Sequence, residues 1–582
     1  MGNPMKCNRN PCLFVYCAAL WTVLACSSDS PTETAKRGRT MTALDVPALQ
    51  LRGLKPNAWD TDDSRLTAAI RSADGYGVVA FKSPSSRRTL ESNGFRAAVP
   101  ATVVDEGIAL LKSRDVEVIS LLSSMGAARV RFTKPELAAA LRSDPLIDYV
   151  APRVRLNMTM TPNVEMVRGG TARPVAPFAP IVQAQMAEVV PWGVTMIRAP
   201  ESWSTTTGNS VKVMFLVPGG PGPHADLPAF DPNHCGGPYW HVCDGWDGTG
   251  LFLYGQIAEP ADQWGIVGVA PSAPVANLYA WNPCAQNSTD PLKLDCYDDQ
   301  MASGIDAAVL VGAKLFTFGT FAWDGVPSAF LPNAVARGWD ADIVFVASAG
   351  TTNAYSNSIY PALYPNVVGI SGVTETRAFA AGRCTYSDGT PFGSTYGPDV
   401  DVAAPFVGLG PWPTNAYQNY CGAGSMTDYT LGVLMLIRSA NPTWTKQQVV
   451  DRLYATATDC GPAGRDDQFG NGVVDAAAAL GILPRQTCSS MPLEPGITSG
   501  CVGPYTHERI YYTYVTLTQN SPGTTLTLQR QINGTWTTIA TWANAASGTY
   551  TKTRAGNGSF RANANNGSVS SPWTATITRS CG

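Results

Sequence analysis

Between residues 190 and 484 the chain alternates short, mainly apolar runs with helical stretches, and few folds accept that pattern. The runs at 211–217, 275–280, 315–318, 343–347 and 367–373 are too short for helices and lack a polar face. Strands of a parallel sheet, covered on both sides, read in this way. Between them the periodicity predicts helices at 301–311 and at 329–336, the second closed by Gly338. A long apolar helix is predicted over 426–438, and Thr445 with Gln448 caps another that runs to Leu453. The order implies an α/β fold, a parallel sheet flanked by helices.

The flanks read differently. Residues 70–155 form an α+β unit, with strands at 77–82 and 128–132 and a returning strand at 144–150. In it Thr133 and Glu136 read as a capping box for a helix over 137–141. A Pro-rich stretch at 156–189 is a linker. After 487 the texture turns to Thr, Ser, Asn and Gly, with period-two strands at 510–517, 525–531, 535–542, 559–562 and 573–577. Asn533-Gly534 and Asn557-Gly558 are turn signals, so 487–582 reads as a small β-sandwich. Its Trp536, Trp542 and Trp573 suit either a core or a binding face.

The first 26 residues suggest an address. Lys6 and Arg9 precede an apolar stretch at 13–25 that ends in Val23, Leu24, Ala25 and Cys26, the pattern of a secretory signal. Small residues ending at a Cys resemble a bacterial lipoprotein signal, in which Cys26 carries the lipid and becomes the mature N-terminus; a polar tether follows over 27–69. Beyond the signal no apolar run reaches the ~18 residues that would span a bilayer. These features predict an exported protein, either a cell-envelope lipoprotein or secreted. With a formal net charge of −3 and no Lys/Arg block, the chain lacks the electrostatic footprint of a nucleic-acid binder.

Four of the 14 Cys lie in that signal. The rest form an even set, which in an exported chain reads as disulfides. Neighbour pairing gives Cys235–Cys243, Cys284–Cys296, Cys384–Cys421, Cys460–Cys488 and Cys501–Cys581, a connectivity that sequence does not fix. Zinc is the competing use, but there is no CxxC pair and the whole chain holds 4 His.

Several motifs carry a resemblance: LRSDP at 141–145 with YV at 149–150, PWG at 191–193, HADL at 224–227, GIVGVAP at 265–271, YPALYPNVV at 360–368, DVAAP at 401–405 and GNG at 470–472. Together and in this order they resemble the subtilisin-like serine proteases, the subtilases, with 70–155 similar to their inhibitor-type prodomain. The resemblance implies a Ser nucleophile, a His base, an Asp orienting that His and an Asn donating to the oxyanion. Only the first is in place. Ser425 stands in GAGSM at 422–426, before the long helix; Tyr429 lies near the place of the family's Pro. Counting back from His224 by the family's spacing reaches Val217 at the Asp position. The His position falls on Asp247 in DGTG at 247–250, or on Thr249 with a shifted gap, and Thr351 follows Ala349-Gly350 where the oxyanion Asn belongs.

The resemblance therefore implies a degenerate site and a catalytically inactive pseudoprotease that holds peptide or protein in its substrate cleft, its own prodomain included. An active endopeptidase with a displaced base is the alternative. His224, His234 and His241 cluster with Asp226, Asp231 and Asp244, although the first sits in a structural motif and the others flank Cys235 and Cys243. A further alternative is a carboxylate site like that of the sedolisins, built on Asp247, which Thr351 does not match. Family members hold structural calcium through loop carbonyls and carboxylates; no contiguous acidic loop assigns such a site here, and no other cofactor is implied.

Overall fold

A computed structural model describes residues 62–82, 99–156, 181–182 and 188–486, less 219–221, 238–247, 263, 274–276, 287–293, 326, 386–389 and 414. It further describes residue 488 and 496–502, 512–519, 524–545, 548–552, 555–565 and 577–579. Cys26, His241, Cys243, Asp244, Asp247, Trp573 and Cys581 lie outside the described residues.

The N-terminal α+β unit begins with helix α1 (Asp63–Ser72), whose first amides are capped by Asp62. Strands β1 (Tyr76–Phe81), β2 (Val116–Leu122), β3 (Ala127–Phe132) and β4 (Ile147–Pro152) form one sheet in the order β2-β3-β1-β4. Helices α2 (Ala101–Ser113) and α3 (Glu136–Arg142) complete it. Leu66, Ile70, Val79, Phe81, Leu111, Val130 and Leu141 fill its core. The capping box expected for α3 does not form. Pro135 takes the cap position without a side-chain bond, and Thr133 Oγ1 instead donates to the Asp115 carbonyl at 3.1 Å. Two strands follow at a distance in sequence, β5 (Arg155–Leu156) and β6 (Ile181–Val182).

The central sheet has seven strands, all paired parallel. They are β7 (Val213–Leu216), β8 (Cys235–Gly236), β9 (Leu278–Trp281), β12 (Leu315–Thr317), β13 (Val344–Ser348), β14 (Val367–Val373) and β15 (Val402–Pro405), in the order β15-β14-β13-β12-β7-β9-β8. Every residue of β7, β12, β13, β14 and β15 is buried, the both-faces-covered condition that the apolar runs announce. Helices α4 (Thr249–Ala258), α5 (Asp298–Val311), α6 (Leu331–Asp340), α7 (Ala423–Ala440) and α8 (Lys446–Thr456) cover the sheet. The capping box of α8 is present, with Thr445 accepting from Gln448 N.

Gly338 corrects an expectation: α6 runs through it to Asp340 rather than stopping there. A Cβ at that position would meet the Phe345 ring at 2.4 Å, so the glycine serves helix–sheet contact. Besides two two-stranded ladders, two three-stranded sheets accompany the main one. Strand β11 (Leu294–Tyr297) pairs with β10 (Cys284–Gln286) on one side and β5 on the other; in the hairpin β16 (Val407–Trp412) and β17 (Ala416–Cys421), β17 also pairs with β6.

The C-terminal region is two antiparallel sheets, β18 (Gly496–Val502), β19 (Tyr512–Gln519) and β22 (Gly548–Lys552) in one, and β20 (Thr524–Ile532), β21 (Thr535–Ala545), β23 (Gly558–Asn565) and β24 (Ile577–Arg579) in the other. Leu517, Leu526, Leu528 and Phe560 are buried in its core. Asn533 and Gly534 both take positive φ, as a two-residue hairpin turn requires. Trp542 packs on Tyr550, whereas the Arg561 guanidinium lies over the Trp536 ring at 4.3 Å. Among the cysteines, Cys284–Cys296, Cys384–Cys421 and Cys460–Cys488 are bonded. Cys235 is disulfide-bonded too.

Candidate active site

The sheet carries two of the four positions singled out above, Val217 and Thr351, just past the carboxyl ends of its strands, and Ser425 stands at the start of α7. Val217 follows β7 directly and is 1% exposed, its amide bonded to the Trp281 carbonyl at 3.0 Å. It packs in the same apolar cluster as Leu251 and Leu253 of α4. Its isopropyl group offers no acceptor to an imidazole. Thr351 lies just past β13 and is buried. The preceding Gly350 takes φ +103, and a Cβ there would sit 2.9 Å from Thr395 Oγ1. That hydroxyl accepts from Thr352 N at 2.9 Å, so the turn carrying Thr351 is tied to Thr395. Asp247 falls outside the described residues, but Gly248 opens α4 at φ +72 with no side-chain cap.

Ser425 is the third residue of α7 and is fully buried. Its hydroxyl donates to the Tyr420 carbonyl of β17 at 2.9 Å. Its own carbonyl accepts from Gln256 Nε2 of α4 at 3.1 Å. A nucleophilic hydroxyl needs a neighbouring base to take its proton. Neither described imidazole is bonded to it. His224 Nε2 is spent on the Ala416 carbonyl at 3.1 Å, and its Nδ1 accepts from Asp226 N at 3.2 Å. His234 stands 3.9 Å from Asp231 and against the Phe230 and Tyr279 rings.

One carboxyl near the serine was not singled out from the sequence. Asp428 lies three residues on in α7, fully buried, and neither of its oxygens has a hydrogen-bond partner. Burial pushes its carboxyl well above the ordinary range, which favours the neutral acid. A second such acid, Glu259, ends α4 beside Asp226 and is pushed up by burial and then by Asp226. A lone Asp inside the apolar stretch 426–438 is the only sequence signal for the first.

The chain's own N-terminal unit packs on α5 and pairs with β11. Strand β5 adds antiparallel to β11, with Arg155 opposite Tyr297 and Leu156 opposite Cys296. Strand addition of this sort supplies backbone hydrogen bonds without regard to sequence. Acidic residues of α5 hold the rest. Val154 N donates to Asp298 Oδ1 at 2.8 Å, Arg129 Nε to Asp299 at 2.9 Å, and the amides of Ser123 and Ser124 to Asp306. Arg155 pairs with Asp295, and the Arg153 guanidinium sits between the Tyr76 and Tyr297 rings at 4.1 and 3.9 Å. Burial, then Asp299, raises the Asp298 carboxyl to about 8. Among the described residues no three His, Cys, Asp or Glu gather as a metal site, and no helix is long and apolar enough to cross a membrane.

Comparison with known proteins agrees with this architecture. The model of the subtilase family matches residues 245–472. Subtilisin Savinase of Lederbergia lenta is 30% identical over 300 residues, which is 50% of this chain and 99% of that protein. The alkaline protease of Shouchella clausii is 30% identical over 301 residues, covering 50% of this chain and 70% of its own. The M-protease of Shouchella clausii strain KSM-K16 is 28% identical over 384 residues, 64% and 85% of the two chains.

Proposed function

Because the chain belongs to the subtilase family, we propose that it is a catalytically silent member, a pseudoprotease exported to the cell envelope on a lipid at Cys26. The observation that carries this reading is the Ser425 hydroxyl, whose proton is committed to the Tyr420 carbonyl of its own hairpin. Val217, Asp247 and Thr351, at the positions of the orienting Asp, the base and the oxyanion donor, support it.

Magnitudes favour silence over weak activity. In subtilisin itself, loss of triad members leaves about 10³–10⁴-fold over water, supplied by the oxyanion hole and binding. Loss of one oxyanion donor removes about 10²–10³ of what remains. The Thr351 hydroxyl is shorter than an Asn amide and reaches less far. With both deficits, hydrolysis falls to near the uncatalysed rate. What the cleft retains is backbone for strand addition, and β5 on β11 supports a role in which residues 70–155 act as an inhibitor-like prodomain that stays in place. The function that follows is peptide or protein binding at the cleft, competed for by the chain's own segment.

The test compares the full chain with Ser425→Ala, both purified from an export-competent host lacking other proteases. Wild type and variant are expected to keep residues 70–155 covalently attached and to react equally, at background, with a fluorophosphonate probe. Labelling or processing that depends on Ser425 overturns the silent reading, and a repeat at acidic pH examines the carboxylate alternative. The anchor is tested separately: Cys26→Ser is expected to move the protein from the membrane fraction to the soluble fraction, and an unchanged distribution rejects it.

A further inference from the structure

In the four-stranded C-terminal sheet the two faces differ in chemistry. Leu526, Leu528, Phe560 and Ala562 turn one face to the core, with Trp542 packed against them. Alternate residues of a strand share a face, and so do residues paired across neighbouring strands. The pairings Gln531–Trp536, Gln529–Thr538 and Gln529–Arg561 therefore set five side chains together on the other face. None of the five belongs to the core cluster. Gln531 and Thr538 are exposed, and Gln529, Trp536 and Arg561 are half-buried.

Arg561 reaches from β23 across β20 to β21. Its guanidinium lies over the Trp536 ring at 4.3 Å, and its Nε and Nη2 donate to Gln529 Oε1 at 3.0 and 2.9 Å. Gln529 Nε2 donates in turn to Thr538 Oγ1 at 3.4 Å. A guanidinium stacked and hydrogen-bonded in this way is already oriented. Less rotamer freedom is then lost when it pairs with a carboxylate. Trp536 stands at the sheet's margin, because β21 is an edge strand among the described residues.

Charge in this part of the chain is one-sided. From residue 510 to residue 582 the charged side chains are Arg530, Lys552, Arg554, Arg561 and Arg579, with no Asp or Glu, although the whole chain has a formal net charge of −3. The complementary ligand is an anion. Scattered single cations lack the run of phosphate contacts on which nucleic-acid binding rests. An aromatic ring beside amides and a hydroxyl suits a sugar instead. The apolar face of a pyranose packs on the ring, while Gln and Thr exchange hydrogen bonds with its hydroxyls. A polysaccharide bearing carboxylates meets both requirements. We propose that the outer face of β21, β20 and β23 binds a uronate-containing polysaccharide, with a carboxylate paired to Arg561 and the sugar ring beside Trp536. This site is separate from the cleft and does not depend on whether Ser425 is silent.

The experiment is affinity electrophoresis of the full chain through gels containing polygalacturonate, with neutral dextran in parallel gels. Polygalacturonate is expected to retard the wild type and dextran is not. Arg561→Gln is expected to weaken retardation about tenfold or more. Arg561→Lys recovers only part of it, because an ammonium lacks the planar fork. Thr538→Asp sets a repelling carboxylate at an exposed position and is expected to weaken binding as well. Thermal midpoints matching the wild type establish that these variants are folded. Equal retardation by dextran, or none by polygalacturonate, overturns the proposal. So does undiminished binding in both folded variants Arg561→Gln and Thr538→Asp. Tighter binding to oligothymidylate or to phosphatidylglycerol vesicles also overturns it, since the face would then read phosphate charge rather than a uronate.

Discussion

At the scale of single residues the informative side chains are those that break their surroundings' rules. Asp428 is a carboxyl in an apolar helix with neither oxygen bonded. Because burial raises its pKa, the folded protein holds it protonated and loses stability as pH rises above the unfolded carboxylate range. Asp428→Asn removes that titration. Its advantage over wild type is expected to grow by about 1.4 kcal/mol per pH unit above roughly pH 4 until the folded pKa is passed. Denaturant midpoints at acid and neutral pH check this, and an advantage that does not grow with pH would place the group in contact with water. Val217, Thr351 and Ser425 were picked out by counting from the motifs on either side. Their surroundings were not. That the Ser425 hydroxyl is buried against Tyr420 depends on where a hairpin folds back, and no local pattern encodes it.

At the scale of elements, legibility followed length and regularity. Strand β14 spans the expected 367–373, a run too short for a helix, rich in Val and Ile, whose one polar residue is Ser371. The hairpin β16–β17 went unread because Gly408, Gly410, Pro411 and Pro413 interrupt its alternation. Strand β5 is two residues long, below any periodicity, and exists because β11 offers a free edge. The bond that most firmly joins the N-terminal unit to α5 is likewise tertiary: Arg129 and Asp299, both nearly buried, at 2.9 Å. Removing one partner strands the other's charge away from water, so Arg129→Met is expected to cost about 3–5 kcal/mol. It should also speed limited proteolysis within residues 99–156, while Arg129→Met with Asp299→Leu recovers most of the loss. A double variant as weak as the single one would show that the pair acts otherwise than by mutual charge compensation.

At the scale of the whole molecule, the chain keeps the parallel sheet and covering helices of its family. The parallel sheet, the helices over it and the order of motifs were all readable, since each is set by burial on two faces. Where the N-terminal unit joins the rest was not: the strand that pairs with β11 is β5, two residues long and beneath any sequence pattern. The Cys460–Cys488 bond works at this scale too. It ties the turn after α8 to the segment that leads into the C-terminal sheets, bridging the stretch between them. A cut anywhere in 461–487 would sever the polypeptide yet leave both pieces riveted by sulfur, so the C-terminal sheets travel with the rest until a reductant arrives.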